Sequence, residues 1–208
     1  VHVSEMTRHG ISATVTVADI GEETNGHASG GQGQSKTHWF TWSGGGYAPS
    51  STGVNNSGPF TTQIEKTTFA SPATTADSGG DLSAATGDSL GYTNLDNAKC
   101  WMVGGQGPFP VTWAGTEKIE SFPTAISSGT VTDEAEMSAT LARTAGANSA
   151  THWYLMGKYP ASDNIWKGSF TAPETDSDIG EVTVSHYESR CSSGDVSGYR
   201  WGGYTTPG

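Results

Sequence analysis

The chain has 208 residues, enough for one large β domain or two small ones. Charged residues make up 15% of it and hydrophobic ones 33%, and 29 glycines with many Ser and Thr fill the difference, a balance that points to strands joined by long polar turns. Ten Lys and Arg against 21 Asp and Glu give a net charge of -11, which argues against nucleic acid and anionic lipid as partners; no run of about eighteen apolar residues is present to span a bilayer, so no membrane partner is expected.

In chain order, residues 11–20 alternate Ile11, Ala13, Val15 and Val17 against Ser12, Thr14, Thr16 and Ala18, the period of a half-buried strand, closed by Gly21. Residues 22–36 carry Asn25-Gly26 and Gly30-Gly31-Gln32-Gly33 without periodicity, and a long loop is expected there. The strand at 37–42 sets His38, Phe40 and Trp42 on one face and Thr37, Trp39 and Thr41 on the other. Aromatic rings on both faces predict a central, buried strand. Residues 60–69 alternate again, 71–88 are low in apolar content and expected as a second loop, and 90–103 supply one or two strands ending at Gly104-Gly105. Pro108-Phe109-Pro110 and Trp113 form a stiff join. Further strands are predicted at 137–144, 150–156, 165–171, 181–188 and 199–204. At 133–143 the pair Asp133 and Glu136 resembles a helix capping box, but the match of this stretch to residues 11–20 favours a strand.

That match belongs to a series. Ser12-Ala13-Thr14-Val15 is answered by Ser138-Ala139-Thr140-Leu141, Thr37-His38-Trp39-Phe40 by Thr151-His152-Trp153-Tyr154, Gly58-Pro59-Phe60-Thr61 by Gly168-Ser169-Phe170-Thr171, and Trp101-Met102-Val103-Gly104-Gly105 by Tyr199-Arg200-Trp201-Gly202-Gly203. Four blocks in one order point to an internal duplication. The expected fold is therefore all-β, with two tandem, sequence-related units of β-sandwich or jelly-roll type, residues 1–112 and 113–208. Trp39 and Trp153 are expected in matching core positions.

Few residues carry a chemical signal. His38 and His152 hold one position in both repeats, which reads as a packing constraint beside a core Trp more than as acid-base chemistry. His2, His9 and His27 lack the spacing that places two imidazoles on one metal, and no transition-metal site is expected. Arg8-His9-Gly10 resembles the phosphate-binding tripeptide of histidine phosphatases, without the further basic residues which that chemistry needs. No nucleophile elbow or phosphate loop is found, and Glu65, Glu181 and Glu188 are the only carboxylates on confident strands, with no spacing that pairs them across a cleft. Asp176-x-Asp178-x-Gly180-Glu181 offers half of an oxygen-rich calcium loop. Cys100 and Cys191 either bridge the halves or remain two thiols. Asn55-Asn56-Ser57 is a glycosylation sequon.

Seven Trp and seven Tyr in so polar a chain are the feature most open to a binding role. Trp42, Trp113, Trp166, Tyr47, Tyr159, Tyr199 and Tyr204 fall at strand ends or in loops, and Trp166 and Tyr204 are the expected binding residues. The function expected is non-enzymatic: a structural protein of an extracellular assembly, such as a capsid decoration, cement or tail component of a virus or phage particle, located in the virion and working through contacts with its own copies and other particle subunits. No catalytic residue and no cofactor is expected. The alternatives are a secreted carbohydrate-binding, lectin-like protein and, third, a secreted β-sandwich glycosidase or polysaccharide lyase.

Overall fold

The computed structural model describes residues 5–9, 17–22, 30–42, 62–70, 76–94, 96, 98–107, 115–193 and 197–205. β1 (Glu5–His9) and β2 (Val17–Glu22) form an antiparallel pair. A first larger sheet runs β3 (Gly31–Gln34), β4 (His38–Trp42), β5 (Gln63–Thr68) and β6 (Ala76–Asp81), with the two-residue β10 (Gly129–Thr130) parallel to β6 at its edge. A second runs β7 (Leu90–Asn94), β8 (Lys99–Val103), β9 (Thr116–Pro123) and β11 (Thr132–Leu141). A third runs β12 (Ala145–Asn148), β13 (His152–Met156), β14 (Ser162–Ser169) and β15 (Ser177–His186), and β16 (Arg190–Ser193) pairs with β17 (Gly198–Trp201). The protein is all-β, and among the described residues every strand pairing apart from the β10 contact is antiparallel.

The three larger sheets are meanders of consecutive strands stacked face to face. Phe40, Trp42 and Ile64 of the first sheet pack on Cys100, Met102 and Phe122 of the second. The opposite face of the second, with Trp101, Val103 and Ile119, packs on Trp153, Leu155, Trp166 and Phe170 of the third. Because successive strand residues point to opposite faces, β8 reads Cys-Trp-Met-Val with every side chain buried, half into each core. The first strands of neighbouring sheets lie side by side, β3 against β7, β7 against β12 and β12 against β16. Four-stranded meanders stacked in series with their first strands adjacent make the blade arrangement of a β-propeller. Meander connections stand here in place of the long crossings of a jelly roll.

Glycine makes this contact between first strands close. A Cβ on Gly91 would sit 2.0 Å from the carbonyl oxygen of Gln32, so β3 and β7 meet backbone to backbone, and one on Gly146 would lie 2.2 Å from the Tyr92 hydroxyl. That hydroxyl donates to the Tyr154 carbonyl at 2.8 Å, and Asn94 Nδ2 donates to the Ala150 carbonyl at 3.0 Å, joining the second and third sheets. The loops expected at 22–36 and 71–88 are corrected by the same physics. Gly31–Gln34 is β3, where small residues allow the close approach, and Ala76–Asp81 is β6, an outer strand whose Gly80 faces the Ile126 side chain. A strand with little apolar side chain carries no periodic signal.

The strand expected over 133–143 is β11. Two of the repeated blocks fall on strands of one rank. Thr37-His38-Trp39 and Thr151-His152-Trp153 each open a second strand, with Gln34 opposite Trp39 and Asn148 opposite Trp153. The Trp101 and Tyr199 blocks are likewise second strands followed by a glycine pair. Trp153 is fully buried whereas Trp39 is half-buried, so rank matches and burial does not. Blocks at residues 12–15 and 58–61 and the join at 108–113 lie outside the described residues. The boundary expected at 112/113 runs through a hydrogen-bonded sheet, since β8 pairs with β9, Cys100 opposite Phe122.

Candidate functional site

One end of the stacked sheets carries a charged and aromatic rim, and its placement follows from two turns that recur. After a second strand, glycines turn the chain back: Gly104 and Gly105 have φ of 63° and 125°, Gly202 and Gly203 of 66° and 101°, and Gly157 of 71°, all in the left-handed region that favours glycine. The chain then meets the segment leading into the first strand of the same sheet. Gln106 exchanges backbone hydrogen bonds with Gly87, Tyr204 does so with Tyr187, and the Tyr159 amide donates to the Ala142 carbonyl. Immediately beyond 87, 142 and 187 stand Asp88, Arg143 and Glu188, with φ of 47°, 54° and 55°. Each precedes a buried hydroxyl residue, Ser89, Thr144 or Ser189.

Left-handed backbone favours Gly and Asn, so Arg143 and Glu188 are there at a conformational cost. Their side chains explain it. Arg143 reaches across three successive sheets: its Nε donates to Asp88 Oδ2 at 3.2 Å and its Nη1 to Glu188 Oε1 at 2.8 Å. The guanidinium also lies over the Tyr159 ring, 5.4 Å from its centre. Tyr159 meets Tyr187 edge to face at 5.3 Å, and Tyr187 stacks on Tyr204 at 5.7 Å. The cluster has one cation between two carboxylates and three tyrosine rings. Gln106, at the position equivalent to Tyr159 and Tyr204, is buried, and its Oε1 has no hydrogen-bond partner among the described residues.

The two residues expected to bind separate here. Tyr204 is on the rim and 61% exposed. Trp166 is corrected to a core residue at 6% exposure: it lies on β14 opposite Leu155, packs in the second core, and has the Lys158 ammonium over its ring at 5.5 Å. Trp42 is likewise core, while Tyr199 is exposed and Tyr159 partly so. Trp113, Tyr47, Asn55, His2 and His27 lie outside the described residues, as do the side chains of Arg8 and His9 on β1. Sequence reasoning missed Asp88 and Arg143. Their signal was present: a charged residue, then Ser or Thr, just ahead of a strand, at 88–89, 143–144 and 188–189.

The remaining candidates have structural partners. His38 and His152 each hydrogen-bond the hydroxyl of the preceding Thr through Nδ1 at 2.8 Å and cap a hairpin in which Ser35 or Ser149 holds the turn. Burial, then Lys167, pulls the His152 imidazole below its usual range. Asp176 accepts from the amide and hydroxyl of Ser138, and Asp178 from Asn164 Nδ2 and the Gly180 amide. Among the described residues no group of three His, Cys, Asp or Glu is placed to hold a metal ion. Cys100 and Cys191 are both free thiols, and burial pushes them up to about 12 and about 11. Glu65 is fully buried and Glu181 exposed, so they do not form a facing pair. Glu120 is buried with Lys118 Nζ 3.7 Å away, and burial raises its carboxyl above the usual range.

A second surface adjoins the rim. By register, Tyr199 holds the position of Phe40 and Trp101, and Trp201 that of Trp42 and Val103. In the first two sheets these residues are at most 1% exposed, because that face carries the next sheet. On β17 Tyr199 is 61% and Trp201 55% exposed.

No protein-family model matches the sequence, and no curated protein is similar to it. Among solved structures the chain is similar to YjhT, with a TM-score of 0.73 at 11% identity over 92% of this chain. The chain spans 64% of the length of that protein. At this identity the likeness speaks to fold alone.

Proposed function

We propose that the protein is a non-enzymatic structural component of an extracellular assembly, such as a virus or phage particle, and that it joins its neighbours through the aromatic face of β17. The observation that carries this reading is the exposure of Tyr199 and Trp201 at positions which in the first two sheets are sealed by the next sheet and in the third are half-buried. A face built to stack on a sheet, bearing two large rings with Arg190 paired opposite Trp201, matches the enrichment of aromatic residues and Arg in protein interfaces.

Sedimentation of the chain and of a Tyr199→Ser, Trp201→Ser double variant tests the proposal. The unmodified chain is expected to self-associate at high micromolar concentration. The variant should weaken that association by about 3 kcal/mol, roughly a hundredfold in Kd, with its thermal midpoint unchanged. A chain that stays monomeric throughout, or a variant that associates normally, overturns it.

A further inference from the structure

The rim adjoins that face without sharing a residue with it, and its chemistry answers a different kind of partner. We propose that Asp88, Arg143 and Glu188, with the Tyr159, Tyr187 and Tyr204 rings, form a binding site for a neutral saccharide. Three features carry the inference. Arg143 and Glu188 hold left-handed backbone that a turn alone would assign to Gly or Asn, so their side chains, not the turn, account for the residue types. The arrangement they make is a guanidinium engaged by two carboxylates, which sums to one negative charge and disfavours an anionic ligand. Such a set offers carboxylate acceptors to sugar hydroxyls, while Arg143 over the Tyr159 ring already fills the place an added cation would take.

The aromatic side completes the complementarity. Tyr204 is exposed, yet its ring is braced by stacking on Tyr187, which is itself held edge-on by Tyr159. A fixed, open aromatic face beside Glu188, whose side chain is 36% exposed, suits a sugar ring with an apolar C–H face and a polar hydroxyl edge.

The test is saturation-transfer NMR and titration calorimetry of the whole chain with maltose, cellobiose, lactose and chitobiose, with choline and glucuronate as cationic and anionic probes. At least one neutral disaccharide is expected to bind saturably. Tyr204→Ser and Glu188→Gln should each weaken it tenfold or more with unchanged thermal midpoint, and Tyr199→Ser should leave it as it was. Absence of binding by all four disaccharides overturns the site, as does binding by choline or glucuronate alone, or neutral binding that both rim variants leave intact. Because the interface variants and the rim variants share no residue, failure of one proposal does not imply failure of the other.

Discussion

β8 and β17 have the same rank, the same register against their first strands and the same double-glycine exit, yet among the described residues β8 is almost wholly buried and β17 largely open. Trp101 and Val103 on β8 are each 1% exposed, against 61% and 55% for Tyr199 and Trp201. The backbone program of the two strands is one, so local sequence does not decide burial. What decides it is whether a sheet lies on the outer face: β12–β15 covers β8, and no sheet among the described residues covers β17. The contrast in exposure between these equivalent rings is the observation on which the proposed interface rests.

The comparison breaks first at the tryptophans. Trp101→Ala should cost about 3 to 5 kcal/mol of folding stability, because it empties a close-packed site against Phe170. Trp201→Ala should cost the monomer no more than about 0.5 kcal/mol, as an exposed substitution does. Chemical denaturation of both variants measures the difference, and equal losses would show that β17 is covered in solution.

The glycine pairs give a smaller contrast. Both pairs have positive φ, so Ala is strained at either, but a Cβ on Gly105 would also meet Thr86 Cγ2 at 2.4 Å, whereas one on Gly202 meets nothing within 4 Å. Gly105→Ala should lose about 1 to 3 kcal/mol and Gly202→Ala about 1 kcal/mol. Thermal midpoints of the two variants rank them.

The smallest effect is in acid. β8 is anchored at its start by Lys99, whose ammonium lies 2.7 Å from Glu134, with Ser121 Oγ also donating to that carboxylate. Partial burial opposes ionisation, but these bonds outweigh it and hold the carboxyl below its usual range. A folded pKa below the unfolded one contributes stability that is present above the ordinary carboxylate range and lost as pH falls through it. The unmodified chain should thus lose a Glu134-dependent increment of stability on acidification, and Glu134→Gln should lack that increment already at neutral pH. Urea midpoints of the two proteins at neutral and acid pH measure it.

Much of the strand content was legible in the sequence, and little of its arrangement. Strands with alternating side chains, such as β4, β5 and β13, announce themselves by period two. β3, β6, β12 and β16 do not, because their positions near neighbouring backbone or at a sheet edge select Gly, Ala and Ser, which carry no hydrophobic period. The repeated Thr-His-Trp and Trp-to-Gly-Gly blocks mark second strands correctly, but they lie in sheets separated by another in one case and in the second and last pairs in the other. The unit of the architecture is a four-stranded sheet, and a comparison of halves cuts across it.

By itself the sequence determined that the chain is all-β, acidic and rich in aromatic rings, since composition and short-range alternation are local properties. Only the tertiary structure decided which rings are core and which are surface. It buried Trp166 between sheets, left Trp201 open at a core rank, and brought Asp88, Arg143 and Glu188 from three sheets into one ion-paired rim. The physical reason is that burial and ion pairing depend on which sheet stacks on which face, a relation between residues far apart in the chain that no single strand's pattern encodes.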